Sequence, residues 1–222
     1  QRLHLFCSED LGAFYLDIIK DRQYTTPADS VARRSCQTAL WHIAEALVRW
    51  MAPMLSFTAD EIWQHLPGER GESVFLEEWY TGLFPLDDDA DRQFWARVQT
   101  LKQGVNKAIE EARNRGEVKA NLSAEATLYV DDVLRAELEK LGDELRFVTI
   151  TSEARLAPLA EAPAEEPERA DGLRVAIAAS ELTKCVRCWH HRPDVGANSD
   201  HPELCGRCVT NVTGPGEERR YV

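Results

Sequence analysis

Two pairs of cysteines near the end of the chain constrain the fold more than any other feature. Cys185 and Cys188 form one CxxC pair, and Cys205 and Cys208 form another, with sixteen residues between the pairs. Each CxxC turn brings two sulfur ligands together, and a connection of this length can fold one turn onto the other around a tetrahedral zinc ion. The spacing therefore predicts one structural zinc ion held by these four cysteines.

Other uses of the cysteine cluster fit the sequence less well. A thioredoxin-like redox site uses a single CxxC pair that opens a helix after a strand, whereas this chain has two matched pairs. His190, His191 and His201 lie nearby, and any of them could replace one thiolate, but the complete cysteine set makes a histidine unnecessary. A closed site of four thiolates leaves no position for a catalytic water, so we expect a structural role.

The composition indicates a globular protein of a reducing compartment. The 222 residues are 44% hydrophobic and 29% charged, and no apolar run approaches the ~20 residues of a membrane-spanning helix. Cys7 and Cys36 stand alone in apolar, helix-like surroundings. We therefore expect a cytoplasmic protein with no membrane partner. The net charge of −12 argues against indiscriminate binding to nucleic acid but leaves room for a local basic surface.

The first half of the chain has the apolar periodicity of helices. Apolar residues recur at spacings of three and four in "DLGAFYLDIIKDRQY", in residues 36–51 and in residues 94–112. Thr58 and Glu61 match a capping box and predict the start of a further helix. Residues 92–115 carry six basic and two acidic side chains, a local net charge of +4 that offers a basic surface.

The second half predicts a mixed α/β unit. "EATLYVDD" alternates as a strand, "VLRAELEKLG" is a short amphipathic helix, and "ELRFVTITSEARL" and "LRVAIAAS" are predicted as further strands. "APLAEAPAEEPERADG" is rich in Pro and Glu and predicts a flexible linker or exposed loop. The predicted fold class is α+β, mainly α. Its predicted parts are a helical bundle at 1–86, a long basic helix with an α/β junction at 87–157, an acidic linker at 158–172 and a zinc-binding module at 173–222.

Three stretches together resemble the isoleucyl-tRNA synthetases of the bacterial type. "FYLDIIKDRQYT", followed by "MAPMLSFTADEIWQHLPG", is similar to the helical anticodon-binding region of class I synthetases for aliphatic amino acids. "LGDELRFVTITS" resembles the α/β junction of the isoleucyl enzymes, and "KCVRCWHH" with "CGRCVTNVTGPGEERRYV" resembles their zinc-binding tail. The helical motif is shared with valyl, leucyl and methionyl enzymes, whereas the zinc tail points to isoleucine.

The resemblance implies the tRNA-binding C-terminal part of an isoleucine–tRNA ligase. Such an enzyme, expected to be a monomer, joins isoleucine to tRNA(Ile) through an adenylate made from ATP. Signatures of the HIGH and KMSKS type occur nowhere in this sequence, nor do the nucleotide-binding sheet and editing domains. We therefore expect this part to dock the anticodon arm without aminoacylating it, and we expect ATP only in the catalytic domain. The resemblance also implies that the four clustered cysteines are the metal ligands.

Nine residues are candidates for contact with tRNA. Lys and Arg side chains position the phosphate backbone, and unpaired bases stack on aromatic side chains. Each basic candidate could equally be a solvated helix residue, and packing of Trp189 over the zinc core is the favoured interpretation for that side chain. Acidic residues concentrate in the linker and the Asp87–Asp91 run, away from the expected RNA face. The candidates are Lys20, Arg22, Gln23, Arg33 and Arg34 in the helical part, and Arg187, Trp189, Arg192 and Arg207 around the cysteines.

Two other classes of function are left open by the residues themselves. A similar zinc tail closes some DNA glycosylases that excise oxidised bases, but the Pro–Glu pair that opens such enzymes does not open this chain. The helical first half also fits a glycosylase poorly. The third class is a zinc-stabilised protein-interaction module that binds through the acidic linker, and failure to bind any RNA would favour it.

Overall fold

The helical first half is followed by a mixed sheet backed by one long helix, and a cysteine-centred module closes the chain. A computed structural model describes residues 1–84 and 88–222. The predicted boundary between residues 86 and 87, and Asp87 of the acidic run, lie outside them. The predicted α+β fold class, mainly α, is confirmed. The helices are α1 (Arg2–Leu5), α2 (Lys20–Thr25), α3 (Val31–Met51), α4 (Ser56–His65), α5 (Asp89–Asn114), α6 (Asp132–Leu138), α7 (Leu145–Thr149) and α8 (Gly206–Thr213), and the strands are β1 (Ala124–Val130), β2 (Glu153–Pro158), β3 (Glu168–Ala170) and β4 (Leu173–Ala179).

The helical region begins with an unusual turn geometry and a conventional cap. Residues Phe6–Leu16 form a π-helical run that leads into α2. Helix α3 begins after Ser30, whose hydroxyl accepts the backbone N–H of Arg33 at 3.2 Å and satisfies one of the free donors of the first turn. The predicted capping box at Thr58 is wrong, because α4 already begins at Ser56. Burial of Ala59 and Trp63 in a hydrophobic cluster fixes the position of α4, and this packing outweighs the preference of Thr58 for an N-cap position.

Helix α5 supplies one wall of the main core. Its predicted apolar face is buried against the sheet at Val98, Leu101, Val105, Ile109 and Ala112. A glycine on α5 permits this close approach: a Cβ on Gly104 would lie 3.0 Å from Cβ of Arg169 and 3.2 Å from a methyl group of Leu173. At this position the backbone of α5 therefore packs directly against side chains of the sheet.

The sheet has the strand order β2-β1-β4-β3. Strands β1 and β2 are parallel and are joined through α6 and α7, while β4 is antiparallel to both β1 and β3. The strand predicted across "ELRFVTITSEARL" is wrong in its first half, because Leu145–Thr149 is helical and the strand begins only at Glu153. Every residue of that short helix is buried, so its sequence lacks the polar stripe that distinguishes a surface helix from a strand.

The segment predicted as an acidic linker is more ordered than its composition suggests. Within residues 158–172, Glu168–Ala170 forms β3 and pairs with β4. The guanidinium of Arg169 is 4% exposed and makes two hydrogen bonds, of 2.8 and 2.7 Å, to the carboxylate of Glu111 on α5. The domain boundaries themselves stay a prediction. None of the described helices is long and apolar enough to cross a membrane.

Candidate zinc centre and nucleic-acid surface

The two CxxC pairs meet in one buried cluster. The sulfurs of Cys185, Cys188, Cys205 and Cys208 lie within 4.8 Å of one another, and the residues are between 0 and 6% exposed. The Cys188 and Cys205 sulfurs are 3.7 Å apart, too far for a disulfide bond. Four thiolates at about 2.3 Å from a tetrahedral zinc ion have sulfurs about 3.8 Å apart. The donor set and its spacing therefore fit zinc, and all six cysteines of the chain, each within the described residues, are free of disulfides.

Charge inside the cluster also calls for a cation. Hydrogen bonds from Cys205 and Cys208 lower the pKa of the Cys188 thiol far below its usual range. The hydrogen bond to Cys188 in turn raises the pKa of Cys205 to about 11, and the pKa of Cys208 is raised for the same reason. Four adjacent thiolates repel one another, so all four can ionise together only when a metal ion compensates their charge.

Backbone hydrogen bonds close the first cysteine turn. The N–H of Trp189 donates to the carbonyl of Cys185 at 2.9 Å, and the N–H of Cys185 donates to the carbonyl of His190 at 2.9 Å. Cys205 is the N-cap residue of α8, so the second pair lies at the helix N-terminus, where the helix dipole favours negative charge. Local backbone structure thus shapes both turns alongside the four sulfurs.

The arginines around the cysteines are engaged within the protein. Arg187 donates to the carbonyl of Thr25 at 2.7 Å, and Arg192 donates to the carbonyl of Ser152 and the carboxylate of Glu153 at 3.3 and 3.1 Å. Arg207 makes two hydrogen bonds, of 2.7 and 2.8 Å, to Asp21. These contacts differ from the free basic surface expected around the zinc site. Contact of these three side chains with RNA stays a prediction.

Three of the five helical candidates are also tied into the fold. Gln23 donates to the sulfur of Cys36 at 2.9 Å, and Arg33 donates to the carbonyl of Thr26 at 3.3 Å. Arg22 is half-buried, and burial, together with the positive charge of Arg219, lowers the pKa of its guanidinium. Lys20 and Arg34 differ, because both are exposed to solvent. Lys20 makes a surface ion pair of 2.9 Å with Asp17, a contact that contributes little stability.

Trp189 does not pack over the zinc core. Its residue is 60% exposed, so the favoured prediction of packing is wrong. Its φ angle is +66°, in the left-handed region that bulky residues rarely adopt and glycine adopts freely. The Nζ of Lys184 lies 4.9 Å from the centre of the indole ring. The chain therefore holds a large aromatic ring and a cation in water, at a backbone position where glycine would be less strained.

A groove of about 560 Å³ runs between the zinc module, α2 and the α/β unit. Trp189 forms part of one wall, and Tyr24, which is 77% exposed, lies on α2. The floor is mainly apolar and includes Ile150, whose φ of +57° ends α7. Such a groove has the size and chemistry to take an unpaired base, with Lys20 available for phosphate. The other lining residues are Asp17, Ile18, Asp21, Thr25, Asn121, Leu122, Phe147, Arg187, Cys188 and His190.

The local positive charge of α5 is largely neutralised in the fold. Arg97 binds both oxygens of Glu137 at 2.6 Å, and Lys102 is 2% exposed beside Asp17, where burial lowers the pKa of its ammonium group. Arg113 and Arg115 are paired with neighbouring carboxylates. These four of the six basic side chains in residues 92–115 are therefore engaged within the protein rather than free to form the basic surface predicted from sequence.

Sequence reasoning missed the acidic partners of the module. Asp21 and Glu217 accept hydrogen bonds from Arg207, and Arg219 also binds Asp21. Burial opposes ionisation of Asp21, but hydrogen bonds and charge from Arg207 and Arg219 outweigh it and hold the pKa of this carboxyl below its ordinary value. In the sequence, the two acidic residues followed by two basic residues in "GEERRYV" are a weak sign of such a network.

Comparison with known proteins accounts for both halves of the chain. The family model described as "Anticodon-binding domain of tRNA ligase" matches residues 1–128, and the one described as "Zinc finger found in FPG and IleRS" matches residues 184–211. Similar curated proteins include the isoleucine–tRNA ligases of Alcanivorax borkumensis and Alkalilimnicola ehrlichii. They are 67% and 60% identical to this chain over 224 and 227 residues, and each match covers 100% of this chain and 24% of the relative.

The isoleucine–tRNA ligase of Pseudomonas putida is 60% identical over 223 residues, or 99% of this chain and 24% of the relative. The chain thus spans about a quarter of the length of the relatives it matches. One match covers more than half of the chain, contains the helices α1–α5 and extends to β1. On this ground the chain belongs to the family of anticodon-binding domains of tRNA ligases.

Proposed function

We propose that the chain is the tRNA-binding part of an isoleucine–tRNA ligase and that it binds the anticodon arm of tRNA(Ile). The observation that carries the proposal is the groove at the junction of the helical region and the zinc module. There an exposed indole, an exposed phenol and exposed basic side chains lie together on a largely apolar floor. Stacking of unpaired bases and contact with phosphate need this combination.

We assign zinc to the sulfurs of Cys185, Cys188, Cys205 and Cys208. A zinc ion bound there would be structural, since four protein ligands fill its coordination sphere. It would hold the two cysteine turns together and fix the path of residues 185–208. Metal analysis of the purified chain should find one zinc per molecule, and Cys205→Ser should release it. Four thiols that titrate freely in a metal-free, folded chain would contradict the assignment.

Residues that contact tRNA are proposed from exposure. Lys20, Arg34 and Lys184 supply charge for phosphates, and Trp189 and Tyr24 supply faces for bases. The other six candidates instead help to shape the surface from within, through the contacts described above; they are Arg22, Gln23, Arg33, Arg187, Arg192 and Arg207. Stacking is worth about 1–3 kcal/mol per base, so the two aromatic residues would supply most of the local affinity.

The aminoacylation reaction belongs to the longer protein. We propose that ATP and isoleucine bind in its catalytic part, outside these 222 residues, and that the enzyme acts as a monomer in the cytoplasm. The free state of all six cysteines suits a reducing compartment. The helical match over residues 1–128 favours this function over the zinc tail of a DNA glycosylase and over a protein-interaction module.

The test is binding of the 222-residue chain to tRNA(Ile) transcripts, followed by fluorescence anisotropy. We expect binding that weakens with salt and that weakens when the anticodon alone is changed. The matched control is the same transcript with an altered acceptor stem, which should bind unchanged. Equal affinity for all tRNAs would leave a non-specific binder, and robust ATP–pyrophosphate exchange by the chain alone would refute the division of labour.

A further inference from the structure

We propose that Asp21 is a positioning residue for tRNA binding, because it fixes the zinc module on helix α2 so that Trp189 stands at the groove. The inference deepens the proposed function and rests on it, since the groove is the proposed RNA site. Asp21 itself need not touch RNA. Its carboxylate is 14% exposed and directed into the contact between α2 and the module.

The first step of the argument is the position of two arginines. Arg187 and Arg207 each immediately precede the second cysteine of a CxxC pair. Both reach α2: Arg187 donates to the carbonyl of Thr25, and Arg207 donates to the hydroxyl of Thr25 at 3.3 Å and to the carboxylate of Asp21. The cysteine cluster therefore sets two side chains that dock the module on one helix turn.

The second step is the charge balance at this contact. Asp21 accepts from both Arg207 and Arg219, and Glu217 accepts from Arg207 at 3.0 Å. The side chain of Arg219 is 1% exposed, and its guanidinium carbon lies 3.4 Å from the ring centre of Phe147. Removing the charge of Asp21 would leave two largely buried guanidinium groups with Glu217 as their one remaining carboxylate ion-pair partner among the described residues. A buried pair that loses one partner is strongly destabilised, so the module would shift or detach there.

The third step is what else this helix turn carries. Lys20 directly precedes Asp21, and Tyr24 follows it by three residues on α2, and both are exposed along the groove. One turn of helix thus fixes the module through Asp21 and presents groove side chains beside it. Because Trp189 directly follows Cys188 and stands two residues after the docked Arg187, its position depends on the same contact.

The experiment compares Asp21→Asn with the control Glu111→Gln in the full 222-residue chain. Glu111 has a similar double hydrogen bond to a buried arginine, Arg169, but it lies on α5 and is not part of the groove. We expect Asp21→Asn to weaken binding of a tRNA(Ile) transcript by about tenfold, a coupling typical of residues that share one network, and Glu111→Gln by less than about twofold. Zinc content should stay at one per chain in both.

A double-mutant cycle separates positioning from general damage. When Trp189 is replaced by alanine, there is no indole left to position, so Asp21→Asn should then weaken binding by less than about threefold. Asp21→Glu, which keeps the carboxylate, should recover part of the lost affinity. An equal effect of Asp21→Asn with and without Trp189 would overturn the inference. If Asp21→Asn does not fold, Arg207→Lys provides a milder loss of the same contact and is judged by the same cycle.

Hydrogen exchange makes the outcome independent of RNA. Asp21→Asn should speed amide exchange in residues 184–192 and 206–222 and leave β1 unchanged, because only the docking contact is weakened. Unchanged exchange in those segments would overturn the inference even if tRNA binding fell. If the unaltered chain binds no tRNA while exchange responds as expected, the proposed function fails, and with it the RNA role of Asp21, whereas the docking contact stands.

Discussion

Replacement of Trp189 by glycine should separate stability from RNA binding. The residue has a φ of +66°, and an L-residue with a side chain loses about 1–2 kcal/mol in the left-handed region. Glycine removes this strain. It also makes the unfolded chain more flexible, which lowers the stability of the fold by about 0.4–1 kcal/mol. Trp189→Ala loses the same exposed ring and keeps the strain. The glycine variant should therefore be more stable than the alanine variant, by up to about 1.5 kcal/mol.

Both variants should bind tRNA more weakly by a similar amount. Loss of one stacked base costs about 1–3 kcal/mol, which corresponds to about 5- to 150-fold in the dissociation constant. The contact of Lys184 with the indole is lost in both, so it does not distinguish them. A residue whose role is packing would behave differently, since its removal would lower stability and binding together.

The assay is urea unfolding of the zinc-loaded chain beside tRNA titration at fixed salt. Unaltered affinity in both variants would show that Trp189 is not part of the RNA surface. A loss of more than about 3 kcal/mol of stability in both would show that the ring is packed rather than exposed, and would refute the reasoning from its exposure. A glycine variant less stable than the alanine variant would refute the reasoning from backbone strain.

Three further predictions test the centre, the surface and the helical region. Removal of zinc by a chelator should abolish tRNA binding and speed amide exchange in residues 184–208. Exchange in α5 and β1 should stay slow, because their core does not include the cysteines. Equal loss of protection throughout would contradict this. Lys20→Ala and Arg34→Ala should each lower the slope of log affinity against log salt by about 0.7, and Arg155→Ala, whose partner is Glu125 on β1, should not. Hydrogen bonds and charge from Arg70 and Arg49 outweigh the burial of Glu45 and hold its pKa below the ordinary 4.5, so the unfolded chain takes up the proton more readily. The ionised Glu45 carboxylate therefore contributes its full stabilisation above about pH 4.5, and this stabilisation is lost as the pH falls further. Glu45→Gln should cost about 3 kcal/mol of unfolding free energy at neutral pH. Urea titrations should show a smaller cost at acid pH. A cost that does not change with pH would refute the ionic origin.

Apolar periodicity and cysteine spacing were the sequence features from which structure could be predicted reliably. The apolar face of α5 and the alternation of β1 could be predicted, because each is a long element with one buried face. The four cysteines could be grouped from spacing alone, because two CxxC turns are a local geometric device. Each of these features depends mainly on residues that are close together in the sequence.

Features decided by distant partners could not be predicted. Leu145–Thr149 is helical because it is surrounded by protein on every side, which no local pattern reveals. The sequence predicts Arg207 as a candidate RNA contact, and only the fold shows that it meets Asp21, 186 residues earlier in the chain. The exposure of Trp189 was equally hidden, since a tryptophan beside a metal site is compatible with packing and with stacking.

The separation between Asp21 and its partners also has a consequence for synthesis of the protein. Arg207 and Arg219 follow Asp21 by 186 and 198 residues. At about 5–20 residues per second, a ribosome needs roughly 10–40 s to make that stretch. During this interval α2 can fold with its helical neighbours, but Asp21 lacks the two arginines that it binds in the complete fold. The contact of α2 with the cysteine-centred module is therefore complete only after Arg219 has left the ribosome, and nascent chains that stop earlier have α2 without its full set of arginine partners.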